Sequence, residues 1–118
     1  MLEEGRWFRA AFFAQQAVEK ALKALYPLLA GVEPPRLHSV TELYRGLRGW
    51  GFRLPGELED KLYMLNKYYT VTRYPDAANG LPSESVDREE AERAVEVARR
   101  ILGYVEEVVG GAEEEAAG

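Results

Sequence analysis

The chain has 118 residues, 47% of them apolar, and a net charge of −5, so it can form one domain with its own core but not two. Having no cysteine and a single histidine, it excludes a disulfide framework, a thiolate nucleophile and a histidine-rich metal centre. No apolar run reaches the length of a membrane span and the acidic N-terminus lacks a signal-peptide core, so we expect a cytoplasmic protein without membrane contact, metal or cofactor.

Helical periodicity dominates the chain, and nothing alternates like a β-strand. The first predicted helix runs from Glu3 to Tyr26, and Pro27 is expected to end or kink it. Its core-facing stripe consists of Trp7, Ala11, Ala14, Val18, Ala21, Leu22 and Leu25.

Apolar side chains also cover both edges of this stripe. Phe8 and Phe12 lie on one edge, and the other edge carries Ala10, Phe13, Ala17 and Ala24. A helix that is apolar over most of its circumference needs burial on two sides. This pattern predicts a homodimer formed through the first helix.

The second predicted helix begins at Ser39, because Ser39 and Glu42 have the spacing of a capping box, and it ends at Gly49 and Gly51. The third helix runs from Pro55 to Tyr74 and is stopped by Pro75. Its inner stripe is predicted to contain Leu58, Leu62, Leu65, Tyr69 and Thr72.

The fourth predicted helix starts near Asp87 and ends at Gly110 and Gly111. Residues 112–118, with three consecutive glutamates, are expected to form a disordered acidic tail. The sequence therefore predicts an all-α protein, an antiparallel up-and-down bundle of four main helices over residues 1–111.

Charge is distributed unevenly between the two parts of the chain. Residues 84–118 carry eleven acidic and four basic side chains, whereas residues 1–83 have a net charge of +2. General affinity for nucleic acid requires clustered lysine and arginine. The chain as a whole is therefore not expected to be a general nucleic-acid binder. A local basic groove in residues 1–83 is the remaining place where nucleic acid could bind.

Arg73 is the first candidate site residue, and it shares one edge of the third helix with Asn66 and Tyr69. A guanidinium binds phosphate bidentately, and a base could stack on Tyr69 or Tyr74. Asp76 could orient Arg73 or accept a hydrogen bond from a ribose hydroxyl. In the alternative interpretation Arg73 only pairs with Asp76 to close the helix end, and the tyrosines pack.

Two further positions leave alternatives open. Gln15 and Glu19 lie four residues apart at the edge of the first helix, where they are either solvated or lean across to a partner helix. His38 precedes the cap of the second helix and is expected to be structural. The alternative is a general base that faces Arg73 across a groove.

Four segments resemble the HEPN family, small all-helical domains named for nucleotide binding in higher eukaryotes and prokaryotes. They are AQQAVEKALKAL at 14–25, His38-Ser39 before a helix, YTVTRYPD at 69–76, and the alanine-rich last helix. The resemblance implies a helical bundle, commonly dimeric, and a tie to nucleotides or RNA. It also implies a partner, because many members are encoded beside a minimal nucleotidyltransferase as toxin–antitoxin or related pairs.

Many HEPN proteins are metal-independent ribonucleases that use an arginine followed after four to six residues by a histidine. Arg73 matches the arginine, but the histidine would fall at Ala78, Asn79 or Gly80, where none is present. We therefore expect a non-catalytic module that binds a nucleotide or a nucleic-acid phosphate and acts with a separate nucleotidyltransferase. Its predicted nucleotide-binding residues are Arg73, Tyr69, Tyr74, Asp76, Asn66 and Glu19.

Two alternatives belong to other classes of protein. One is a divergent ribonuclease in which Arg73 acts with Asn79, Tyr74 or His38 across the dimer, with the arginine stabilising the charge that develops on phosphate. The other is a purely structural dimerisation or adaptor domain.

Overall fold

Four α-helices form most of the computed structural model, which describes residues 2–73 and 86–117, with side chains for 6–69 and 86–112. The helices are α1 (Leu2–Leu25), α2 (Val40–Arg48), α3 (Gly56–Arg73) and α4 (Arg88–Ala117), and a π-helical turn, Tyr26–Ala30, follows α1. No strand occurs in these ranges. The predicted all-α bundle of four main helices is confirmed.

The connector between α1 and α2 carries the chain back along α1. The Gln15 side chain donates a hydrogen bond to the carbonyl of His38 at 3.1 Å, so α2 begins beside the middle of α1. The Tyr26 hydroxyl donates to the carbonyl of Leu43 at 2.8 Å, so α2 then runs toward the C-terminal end of α1. Because α2 has nine residues and α1 has 24, α2 spans little more than a third of the length of α1.

Helices α2 and α3 are antiparallel, and so are helices α3 and α4. Asn66 near the end of α3 bonds the first residue of α2, and Glu59 near the start of α3 bonds Tyr44. Between α3 and α4, Tyr68 donates to Glu90 at 2.6 Å, and Arg100 donates to Glu57 at 3.2 Å. The end of α3 therefore lies near the start of α4.

Helix α1 ends at Leu25, close to Pro27, as the sequence predicted. Pro27 lacks the N–H that an α-helix needs there, and the backbone widens into the π-helical turn Tyr26–Ala30. Gly31, with φ of 68°, ends this turn in the left-handed conformation that glycine adopts without steric cost.

The core runs through all four helices, and its largest fully buried side chains are Tyr44, Tyr68, Leu22, Leu25, Leu43, Leu47, Leu58, Leu62, Leu65 and Ile101. The predicted inner stripe of α3 is wrong at one position, because Tyr68 is 1% exposed whereas Tyr69 is half-buried. The Tyr68 side chain can be buried because α4 supplies Glu90 as an acceptor for its hydroxyl. The side chain of Thr72 lies outside the described residues.

Two buried tyrosines donate to carboxylates at the edges of the core. Burial, and then the hydrogen bond to Glu59, raises the pKa of Tyr44 to about 12. Burial and the bond to Glu90 raise the pKa of Tyr68 as well. Burial alone would raise the pKa of Glu90, but the Lys67 ammonium and the Tyr68 hydroxyl lower it below its ordinary value.

Helix α4 is longer than predicted. It continues through Gly110 and Gly111 to Ala117, so the predicted helix end at the glycine pair is wrong. Glycine costs a helix roughly 1 kcal/mol relative to alanine but does not forbid it, and the alanine- and glutamate-rich segment that follows favours helix. The expected disorder of residues 112–118 in solution and the domain bounds stay predictions.

None of the helices in the described ranges is both long enough and apolar enough to cross a membrane.

Gly46 in α2 provides a test of the packing between α2 and the turn after α1. A Cβ at this position would collide with the hydroxyl of Tyr26. We expect Gly46→Ala to lower the free energy of unfolding by about 1–2 kcal/mol, because overpacking outweighs the gain in helix propensity. Chemical denaturation measures the difference.

Gly103→Ala in α4 is the matched control, because a Cβ there meets nothing within 4 Å. This control should stabilise the protein by about 0.5–1 kcal/mol. Equal stabilisation by both substitutions would contradict the packing described for Tyr26.

Candidate functional site

A buried carboxylate on α1 is the centre of the candidate site. Glu19 is 5% exposed, although it lies on a helix whose other buried positions, apart from Gln15, are apolar. Its Oε2 atom accepts from Lys23 Nζ at 3.0 Å and from His38 Nδ1 at 2.9 Å. Because a buried carboxylate without partners is strongly destabilising, these two contacts fix the Glu19 side chain.

Two glutamines complete the surroundings of this carboxylate. Gln15 Nε2 lies 3.4 Å from Glu19 Oε1 and 3.1 Å from the His38 carbonyl, and the Gln15 side chain is fully buried. Gln16 donates to Gln15 at 2.9 Å. Gln15 and Glu19 are therefore not solvated edge residues. Both side chains instead contact His38 in the connector between α1 and α2.

His38 is held on two sides. A carboxylate can only accept, so the Nδ1 atom of His38 donates to Glu19. The imidazole ring also stacks on Tyr69 of α3, with 4.7 Å between ring centroids and 15° between planes. The side chain is still 49% exposed, and within the described ranges nothing bonds its Nε2 atom. The ring is thus fixed in orientation and open to a ligand.

Asn66 joins α3 to the start of α2. Its Oδ1 accepts from the Val40 backbone N–H at 2.8 Å, and its Nδ2 donates to Ser39 Oγ at 3.1 Å and to Thr41 Oγ1 at 2.9 Å. Ser39 Oγ also accepts from the Glu42 N–H at 3.2 Å, which confirms the predicted cap of α2. Asn66 therefore positions the residue that follows His38.

The structure brings four of the predicted site residues together. Glu19, His38, Asn66 and Tyr69 come from α1, the connector and α3, and they meet at the start of α2. Arg73 is the last residue of α3, one helical turn or about 6 Å beyond Tyr69. The Arg73 side chain, together with Tyr74, Asp76 and Asn79, lies outside the described residues.

Two of the predicted site residues contact other residues of the site. Glu19, which was predicted to orient the site, is buried, and its carboxylate accepts from Lys23 and His38, so it positions the imidazole. Both ends of the Asn66 amide bond the start of α2. A contact of either residue with a nucleotide stays a prediction.

Sequence reasoning missed the contribution of Thr41 to this site, and it did not decide between the two alternatives for Gln15. The available signal was the occurrence of polar side chains at 15 and 19 on a face that is otherwise apolar. A buried polar group on such a face requires a hydrogen-bonding partner from elsewhere in the chain.

The arrangement of these side chains can bind a ligand, and it can transfer a proton. A half-exposed imidazole with a carboxylate on one nitrogen is a donor or an acceptor at the other nitrogen, depending on protonation. Its outer face also offers a surface on which a nucleobase can stack.

The sequence matches the family model of the HEPN domain over residues 1–108. The chain therefore belongs to the HEPN domain family. Comparisons with curated proteins and with solved structures found no match.

The support that Asn66 gives to the site can be measured as stability. Asn66→Ala leaves the buried Val40 N–H without its acceptor and should cost about 1–3 kcal/mol in urea denaturation. Ser39→Ala should cost nearer 0.5 kcal/mol, because the Glu42 N–H that it releases is exposed to water.

Asn66→Asp is the control, since it keeps an acceptor for Val40 and should lose less than Asn66→Ala. An Asn66→Ala protein as stable as Ser39→Ala would contradict the assigned role of Asn66.

Proposed function

We propose that the chain is a non-catalytic HEPN module that binds a nucleotide or the phosphate of a nucleic acid at the His38 site. The observation that carries this proposal is the fixed position of His38, between the Glu19 carboxylate and the ring of Tyr69, which lies one helical turn before Arg73 in α3. An immobilised ring loses little entropy when a ligand stacks on it, which favours binding.

The proposal gives each residue a distinct task. Arg73 takes the phosphate, because its guanidinium forms two parallel hydrogen bonds to phosphate oxygens. The outer face of His38, or the ring of Tyr74, takes the base, and Asp76 orients the arginine or accepts from the ribose. Tyr69 and Glu19 hold His38 in place.

The net charge of −5 is consistent with a small ligand or a short segment of nucleic acid rather than a long one. Long nucleic acids are bound through many phosphates, which requires an extended basic surface.

A divergent metal-independent ribonuclease is the second candidate. The specific observation in its favour is the Glu19 carboxylate on His38 Nδ1, because a catalytic imidazole needs an orienting partner of this kind. In this mechanism His38 Nε2 would take the proton of the ribose 2′-hydroxyl, and Arg73 would stabilise the charge on the phosphate.

We also propose the setting in which the module works. It would act in the cytoplasm as a homodimer and together with a separate nucleotidyltransferase, as a toxin–antitoxin-type pair. The family supports the tie to nucleotides, and the apolar edges of α1 support the dimer.

Calorimetry with ATP, other nucleotides and short RNA tests the leading proposal. We expect wild-type protein to bind, and both His38→Ala and Arg73→Ala to weaken binding by at least tenfold, or about 1.4 kcal/mol. Arg53→Ala is the matched control, because Arg53 is an exposed arginine in the turn between α2 and α3. Equal binding in all four proteins would contradict the site.

Incubation of RNA with the protein in EDTA separates the two candidates. RNA that stays intact while binding is seen supports the non-catalytic module. Cleavage that disappears in both His38→Ala and Arg73→Ala would establish the ribonuclease instead. A protein that shows neither binding nor cleavage would favour the third alternative, a structural adaptor domain.

A further inference from the structure

The seam between α2 and α3 starts beside His38, which directly precedes the cap of α2. On this seam α2 presents Thr41, Arg45 and Arg48, which are four and three residues apart and therefore share one face of the helix. Thr41 already belongs to the His38 site, because its hydroxyl bonds the amide of Asn66. The two arginines continue from that site along the seam as a basic surface.

Arg45 forms the next level of the seam beyond Thr41. Its guanidinium carbon lies 5.9 Å from the centre of the Tyr63 ring of α3. The side chain of Arg45 is exposed, and within the described ranges it forms no ion pair. The aromatic ring holds the guanidinium without using its N–H donors, so these donors stay available to a phosphate.

Arg48 and Trp50 form the far end of the seam. The buried Nε atom of Arg48 has no hydrogen-bond acceptor among the described residues, since Oε2 of Glu59 lies 3.7 Å away. Trp50 is 56% exposed although its turn is ordered, because its N–H donates to the carbonyl of Leu47 at 2.9 Å. An arginine with an unused donor and a rigid, exposed indole two residues later both indicate a missing ligand.

We propose that this seam binds a single strand of nucleic acid, so that the His38 site takes an oligonucleotide in preference to a mononucleotide. The inference rests on the proposed function, because one end of the strand occupies the His38 site. The seam repeats a cation beside an aromatic ring, as Arg45 beside Tyr63 and Arg48 near Trp50. Such repetition suits a chain of phosphates and bases. An acidic peptide would need the cations but not the rings.

The carboxylates near the seam confine the strand to it. Glu59 is already occupied, since it accepts a hydrogen bond from a buried tyrosine of α2. Glu42 and Asp60 are exposed, and each lies three residues before a seam residue, Arg45 or Tyr63. This spacing places each of them about 60° around its helix from the seam residue. The line of the seam is therefore basic and its two edges are acidic, which disfavours a phosphate away from the line.

The levels of the seam set the length of strand that is needed. Tyr63 lies ten residues before Arg73 on α3, or about 15 Å, and Glu59 lies fourteen residues before it, or about 21 Å. A stacked strand advances about 3.4 Å per nucleotide. A strand bound at Arg73 therefore reaches Arg45 with about four nucleotides and Trp50 with about six.

Calorimetry with AMP and with single-stranded adenylate chains of increasing length, up to the hexanucleotide, tests the proposal. We expect affinity to rise with length, and the hexanucleotide to bind about tenfold tighter than AMP or better. Arg45→Ala should reduce this preference. It should also lower the slope of log K against log salt for the hexanucleotide by about 0.7, the contribution of one phosphate contact on a single strand. Arg99→Ala is the matched control, because Arg99 is an exposed arginine on α4, away from the seam.

Fluorescence of Trp50 gives a second readout. Trp7→Phe leaves Trp50 as the only tryptophan. Its emission should be quenched when the hexanucleotide binds and should not change with AMP or a dinucleotide, because only the longer strand reaches the indole. Trp50→Ala should weaken binding of the hexanucleotide by about fivefold or more.

Three results would overturn the inference and leave the proposed function in place. The first is equal affinity for AMP and the hexanucleotide. The second is a preference for the hexanucleotide that is the same in Arg45→Ala as in wild type. The third is hexaglutamate that displaces the hexanucleotide and depends on Arg45 to the same degree, which would assign the seam to an acidic protein segment. Failure of the proposed function is distinct, since neither AMP nor the hexanucleotide would then bind, and the inference would fall with it.

Discussion

The buried carboxylate of Glu19 is the constraint on which the rest of the site depends. An ionised carboxyl group can remain in a helix seam only if it is paired and hydrogen-bonded. Lys23 supplies one partner from the same helix, but His38 must arrive from a connector nineteen residues further along the chain. The connector therefore returns along α1 instead of crossing directly to a new helix. This return sets the start and direction of α2, and α2 in turn fixes α3 through Asn66. A polar group inside the bundle thus organises a surface site.

Helix α1 carries two different surfaces on its two edges. The edge with Glu19 faces α2, α3 and the His38 site, while Ala10, on the other edge, lines a groove of about 330 Å³ beside α4. This division accounts for the unusual sequence of α1, in which apolar side chains cover most of the circumference while Gln15 and Glu19 occupy buried positions.

The sequence was sufficient where local chemistry determines the structure. Ser39 caps α2, and Pro27 interrupts α1, because both effects involve residues within one turn of each other. It was insufficient where the outcome depends on distant segments. Glu19 is buried only because His38 reaches it, and Tyr68 replaces Tyr69 in the core because Glu90 of α4 meets its hydroxyl. The family resemblance, confirmed over residues 1–108, identified the fold. It could not show that Glu19 positions His38 or that Asn66 bonds the start of α2.

Nitrogen-15 NMR of the single histidine tests the central claim most directly, since its signals need no assignment among several imidazoles. In its neutral form, His38 should carry its proton on Nδ1, because Glu19 accepts from that atom. Glu19→Ala should release the ring to the Nε2–H tautomer that unconstrained histidine favours. A wild-type His38 already in the Nε2–H form would contradict the account, because Glu19 would then not be holding the ring.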